Sequence, residues 1–226
     1  MNRILQMLEL QQELNDATNG KNWEQGITKN GKKIDWRRCI YLEAAELIES
    51  YPWKHWKNIE ATPDYDNIKI EIVDIWHFIM SEALRIYKID NLGSITDIAN
   101  SVTKMQGFDA FLQVEKGEVL DPYEEIELVE EMIKTLFCSN DINKLLIAFL
   151  TMSSKLNLKL PELYELYIGK NILNKFRQNH GYKEGTYIKV WDNKEDNVVM
   201  QNILASQNDI SPQELYEALE KAYPKD

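Results

Sequence analysis

The sequence predicts an all-α fold, and three observations carry that prediction. Apolar residues recur at helical spacing along most of the chain, strand-like alternation is nearly absent, and Ser, Asp, Pro and Gly stand where helix caps belong. Taken in order, Ile4 to Asp16 places Ile4, Leu5 and Leu8 on one face and forms a first helix. A second runs from Trp36 to Ser50 behind Asp35 as N-cap. Asn67 to Tyr87 is apolar on most sides, which makes it the central helix. Further helices are expected over Ser94–Lys116, Pro122–Phe137 and Asn140–Leu156. Pro161 opens another in its first turn, and Gly181 sits where a C-terminal cap would end it. "GYKEGTYIKVWDNKEDN" reads as a long ordered loop. "SPQELYEALEKAY" then closes the chain with Ser211 as cap, Pro212 at the first position and Glu214 completing a capping box. No repeat of solenoid period occurs. The expectation is one helical-bundle domain over residues 1–226.

Composition narrows the function. A chain of 226 residues with 44% hydrophobic residues and six Trp is globular and buries a substantial core. Its net charge of −11 argues against a nucleic-acid polymer as partner, which would need a basic face. Only two cysteines, Cys39 and Cys138, occur, without paired spacing; both are expected to be buried thiols in a reducing compartment. The N-terminal residues lack the apolar core of a signal peptide, and no run reaches membrane-spanning length. The expected location is cytoplasmic, with no membrane partner.

The stretch "KIEIVDIWHF" sets Glu71 and Asp74 among Ile, Val, Trp and Phe, where a carboxylate is costly unless paired or bound to a metal. "YLEAAELIES" carries a second pair, Glu43 and Glu46, on an equally apolar helix. Three-residue spacing puts both members of each pair on one face, about 60° apart. A solvated face is the usual explanation of such a pair, and the apolar neighbours of both pairs count against it without removing it. If the two faces oppose, four carboxylates converge, and oxygen-only ligands suit Mg²⁺, with Mn²⁺ as a substitute. Asp74-x-x-His77 mimics a di-iron motif, yet that site needs a second copy, and Pro52 and Arg177 stand three residues before His55 and His180. His77 is therefore read as a packed, hydrogen-bonded side chain. Glu49, Glu82 and the "EEIELVEE" run are read as solvated acids.

The segment Gly169–Asn197 has the opposite character. Six basic residues against four acidic ones give it +2, which leaves −13 for the remainder. Lys170, Asn174 and Arg177 form one helical stripe, as a phosphate-gripping segment requires. Tyr182, Tyr187 and Trp191 alternate with lysines, a pattern equally suited to core anchoring and to base stacking.

Together "LQQELNDATNGKNWE", "DWRRCIYLEAAELIES" with "YPWKHWKN", "EIVDIWHF" and "GKNILNKFRQNHGYKEGTYIKVWDNKEDN" resemble the dimeric all-α dUTPases of the all-α NTP pyrophosphohydrolase superfamily. These stretches cover about half of the chain, and residues 91–160 would be the variable helical part. The resemblance implies Mg²⁺-dependent hydrolysis of dUTP, and of dUDP, to dUMP by a homodimer. It implies Glu43, Glu46, Glu71 and Asp74 as metal ligands, with Glu46 as the base that activates water. It places Lys170, Asn174, Arg177, Tyr182, Lys183, Lys189 and Asn197 against phosphates and sugar. Gln11 and Asn19 would read uracil, while His55, Trp56 and Phe78 would line the nucleoside pocket. Phe78 also shares a stripe with Glu71 and Asp74. Two alternatives stay open: a relative acting on dCTP or another deoxynucleoside triphosphate, and a non-catalytic helical partner-binding protein.

Overall fold

Asp35 and Asp64 start the two helices that carry the acid pairs. Asp35 Oδ1 accepts from the Arg38 N–H at 3.0 Å, and Asp64 Oδ1 from the Asn67 N–H at 3.0 Å. The structure is a computed structural model and describes residues 2–58, 60–113, 119–207 and 210–224. Among these the helices are α1 (Arg3–Asn19), α2 (Trp36–Glu49), α3 (Tyr65–Ile89), α4 (Ile95–Val102), α5 (Phe108–Leu112), α6 (Pro122–Cys138), α7 (Ile142–Lys155), α8 (Leu160–Asn179), α9 (Asp196–Ser206) and α10 (Pro212–Ala222). The chain divides into two compact units, residues 1–163 and 164–226, with the boundary inside α8.

In the first unit α3 is the axis. Its Ile68, Ile72, Val73, Ile75, Trp76 and Ile79 are at most 2% exposed. Such β-branched content is mediocre for an isolated helix, so burial rather than propensity holds it. Helices α1, α2, α4 and α7 pack on it, α6 lies against α2 and α7, and Trp76 stacks on Phe149 with centroids 4.9 Å apart. The expected helix over Ser94–Lys116 is two shorter ones, because Gly107 turns left-handed at φ 88° and restarts the chain as α5. The last predicted residues of that helix lie outside the described residues.

In the second unit α8 ends as the sequence indicates. Gly181 has φ 83°, Tyr182 N–H donates to Arg177 O at 3.0 Å, and a Cβ at Gly181 would collide with the Thr186 hydroxyl. The segment read as a loop contains more structure. Strands β1 (Val190–Trp191) and β2 (Lys194–Glu195) form a hairpin turned by Asp192 and Asn193, both left-handed. The hairpin leads into α9, whose Asn and Val content and lack of a side-chain cap gave no helical signal. Helix α10 has the expected Ser211–Glu214 capping box.

Three expectations of exposure change. Glu82 is not solvated: it is 3% exposed, and Arg85 grips it through two bonds of 2.7 and 2.9 Å. Glu125 of the acidic run is buried against Tyr51; burial pushes its carboxyl above the ordinary range and Asp121 adds to this, against a lowering by the Tyr51 hydroxyl. Cys138 is exposed and Cys39 half-buried, and both are free thiols.

Candidate active site

The acids of α2 and α3 meet. Glu43, Glu46 and Glu71 each bring a carboxylate oxygen within 4.8 Å of the others. Their exposure is graded: Glu71 is buried, Glu43 half-buried and Glu46 exposed. Three like charges at this spacing repel unless a proton or a cation intervenes. Their oxygen-only donor set fits a hard divalent ion such as Mg²⁺. Asp74 lies one turn beyond Glu71 on α3, half-buried and outside this close group.

Glu71 is held by its own helix. Asn67 Nδ2 donates to Glu71 Oε1 at 3.1 Å and to Ser50 Oγ at 2.8 Å. Ser50 closes the corner, its hydroxyl donating to Glu46 O at 3.2 Å and its carbonyl accepting from the Asp64 N–H at 2.9 Å. Neither Asn67 nor Ser50 was singled out in the sequence, although Asn67 stands four residues before Glu71 and so on its face.

The predicted nucleoside residues divide. Phe78 is half-buried and stacks on Trp36 at 5.9 Å, which in turn meets Trp23 edge-on at 5.7 Å. Trp56 is 64% exposed with the His55 ring 4.8 Å away, also exposed. Gln11 is buried in a polar cluster with Asn15, His77 and Ser81. Asn19 is the last residue of α1, where its carbonyl accepts from the Lys29 N–H at 2.6 Å. Eight residues separate it from Gln11, about 12 Å of helix rise. Asn15, at helical i+4 spacing, is the neighbour of Gln11 that the sequence reasoning missed. His77 is packed and hydrogen-bonded as expected, with Nδ1 2.6 Å from Gln11 Oε1.

In the second unit the basic stripe of α8 faces an acid the sequence reasoning passed over. Asp196, fully buried at the start of α9, accepts from Arg177 Nε and Nη2 at 2.8 Å each and from the Tyr187 hydroxyl at 2.8 Å. Burial opposes its ionisation, but Arg177 outweighs that and holds the carboxyl below its ordinary range, with Tyr187 and Lys170 adding. Burial and the Asp196 bond push the Tyr187 phenol up. Asn197 Oδ1 accepts from Lys170 Nζ at 3.0 Å and Arg177 Nη2 at 3.2 Å; Asn174 Oδ1 accepts from Arg177 Nη1 at 3.3 Å. Lys170 is only 2% exposed. Tyr182 and Lys183 are exposed, the Tyr182 ring lying 5.8 Å from the Arg177 guanidinium. Lys189 pairs with Glu195 at 3.1 Å, both about half exposed. Trp191 is core, 2% exposed against Phe176 and Tyr223. The only signal for Asp196 was its place in "KEDN", next to a predicted site residue.

Carboxylates gathered on two core helices of the first unit suit hydrolytic chemistry, and the second unit by itself cages cations on α8 of the kind that suit a phosphate. Residues 3–182 match the family model described as dUTPase, and the chain belongs to that family. It is an enzyme of the dUTP diphosphatase kind, and its function is hydrolysis of dUTP. No match was found among curated proteins. Among the described residues no helix is long and apolar enough to cross a membrane.

Proposed function

We propose that the enzyme hydrolyses dUTP to dUMP and pyrophosphate, and dUDP to dUMP and phosphate, with Mg²⁺ or in its place Mn²⁺. The observation that carries this is the convergence of Glu43, Glu46 and Glu71 within 4.8 Å. Those three, with Asp74, would hold the ion. When bound, it supplies charge neutralisation for the acids and the phosphates and makes a nearby water more acidic. Glu46, the most exposed of the three, orients the attacking water through a carboxylate oxygen and takes its proton for in-line attack on phosphorus, with pyrophosphate leaving from dUTP and phosphate from dUDP. Asn67 keeps Glu71 from rotating away.

Lys170, Asn174, Arg177 and Asn197 receive phosphate charge, with Lys183 and Lys189 as exposed partners and Tyr182 beside Arg177. The buried pairing of Lys170 and Arg177 supports preorganisation, because donors held in place need no reorganisation as charge develops. Phe78, Trp56 and His55 supply aromatic walls for the nucleoside. Gln11, joined by Asn15 and with Asn19 further along α1, reads the base. Exposed Tyr41, Leu42 and Phe137 support a homodimer, and two free thiols support a cytoplasmic location.

The test is pyrophosphate and phosphate release from dUTP, dUDP, dCTP, dTTP and UTP, each with Mg²⁺ and with EDTA. Release from dUTP and dUDP alone, lost in EDTA, is expected. Strong dCTP turnover would move the specificity while keeping the acid site. If no nucleotide is cleaved and Mg²⁺ leaves the melting temperature unchanged, the chain is a helical binding protein instead.

A further inference from the structure

Four polar side chains meet in the interior of the first unit where α1 packs on α3. Gln11, Asn15, His77 and Ser81 are each at most 4% exposed. Positions of their heavy atoms fix where the protons lie. Ser81 Oγ is 2.9 Å from the backbone carbonyl of His77. A carbonyl oxygen only accepts, so the single hydroxyl proton of Ser81 points there. Two amides approach the same Oγ at 3.0 Å, one from Gln11 and one from Asn15. With its proton committed, Oγ meets both as an acceptor, and both amides must turn their NH₂ groups toward it. Gln11 Nε2 then also donates to Asn15 Oδ1 at 3.3 Å. Gln11 Oε1 is left facing His77 Nδ1 at 2.6 Å, which places a proton on Nδ1. Flipping the Gln11 amide would leave oxygen facing oxygen at both Ser81 and Asn15 and would force the His77 proton from Nδ1 to Nε2.

We infer that Ser81 is a specificity-determining residue for the pyrimidine base: it locks the polarity of the two α1 amides and thereby favours uracil over cytosine. The inference rests on the proposed base-reading role of Gln11 and Asn15. Uracil presents a donor at N3 and an acceptor at C4, whereas cytosine presents an acceptor at N3 and a donor at C4. An amide that turns freely serves both patterns; with both Gln11 N–H groups given to Ser81 and Asn15, only its oxygen is left for the base, an acceptor that suits the uracil N3–H and repels the cytosine N3 lone pair. Neither Ser81 nor His77 needs to touch the nucleotide. They act through Gln11 and Asn15, as positioning residues.

The experiment compares kcat/KM for dUTP and dCTP in the unaltered enzyme, Ser81→Ala and Gln11→Ala, and records the imidazole nitrogens of His77 by long-range ¹H–¹⁵N spectra. The unaltered enzyme should carry a proton on Nδ1, and Ser81→Ala should lower the dUTP to dCTP preference by at least about tenfold. Simple loss of stability moves both nucleotides together and leaves their ratio alone. A neutral His77 protonated only on Nε2 in the unaltered enzyme would overturn the lock without any variant having to fold. An unchanged ratio in Ser81→Ala would overturn its role in specificity. If Gln11→Ala leaves both kcat/KM values unchanged, the base-reading role fails, and the inference falls with it while the proton positions stand.

Discussion

Two buried carboxylates in this protein sit in opposite company. Asp196 in the second unit receives two N–H groups from Arg177 and a hydroxyl from Tyr187. Glu71 in the first unit has two further carboxylates within 4.8 Å and an amide donor from Asn67. A carboxylate neutralised by an arginine of its own chain knits a fold together. Carboxylates gathered beside one another raise the energy of the fold and store affinity for a cation from solution. Burial alone would have made the two look alike; the charge of the neighbours separates an acid that ties the fold together from one proposed to hold a metal ion.

The contrast breaks most visibly in turnover. Glu46→Gln should reduce dUTP hydrolysis by at least about 100-fold while circular dichroism and melting stay those of the unaltered enzyme. Retained activity would remove the acid cluster from the chemistry.

Stability is the next arm. Asp196→Ala strands the Arg177 charge and should cost about 3–5 kcal/mol in urea unfolding. Glu43→Gln, measured in EDTA, should not lower stability, because it removes one of three crowded negative charges. Equal losses in both variants would show the two acid environments to be of one kind.

A smaller effect tests the support of Glu71. Asn67→Ala should raise the Mg²⁺ concentration needed for half of the thermal shift by about tenfold, the low end for loss of a residue that orients a metal ligand.

The last comparison is in pH, read as melting temperature from pH 3 to 7. The lowered carboxyl of Asp196 contributes stability in full above the ordinary carboxylate range near pH 4, lost as pH falls through its native value. Asp196→Asn should flatten that acid limb. Glu125 has the opposite sign: its raised carboxyl contributes most at low pH, and the contribution falls as pH rises through the raised value. Glu125→Gln should therefore remove a loss of stability on the neutral side, and an unchanged slope would refute the burial effect.

Helix order, caps and the acid pairs were legible in the sequence because each is a local pattern. Asp35, Pro161, Gly181 and the Ser211–Glu214 box act within a turn of where they stand. Spacing of three put Glu43 with Glu46 and Glu71 with Asp74 on shared faces before any packing was known. The break at Gly107, the Asp192–Asn193 hairpin and α9 were harder, because their signals are single residues or weak propensities that neighbouring contacts override.

Tertiary structure alone decided which side chains face which. It joined Glu71 to the α2 acids and brought Ser50 to its in-helix partner Asn67. It closed Ser81 and His77 on Gln11, and turned Asp196 from one more acid of a charged loop into the anchor of Arg177. The physical reason is range. Caps and spacing depend on residues within about one helical turn, whereas the sign of a neighbour's charge and the direction of a buried hydrogen bond depend on residues far along the chain, 70 positions apart for Gln11 and Ser81.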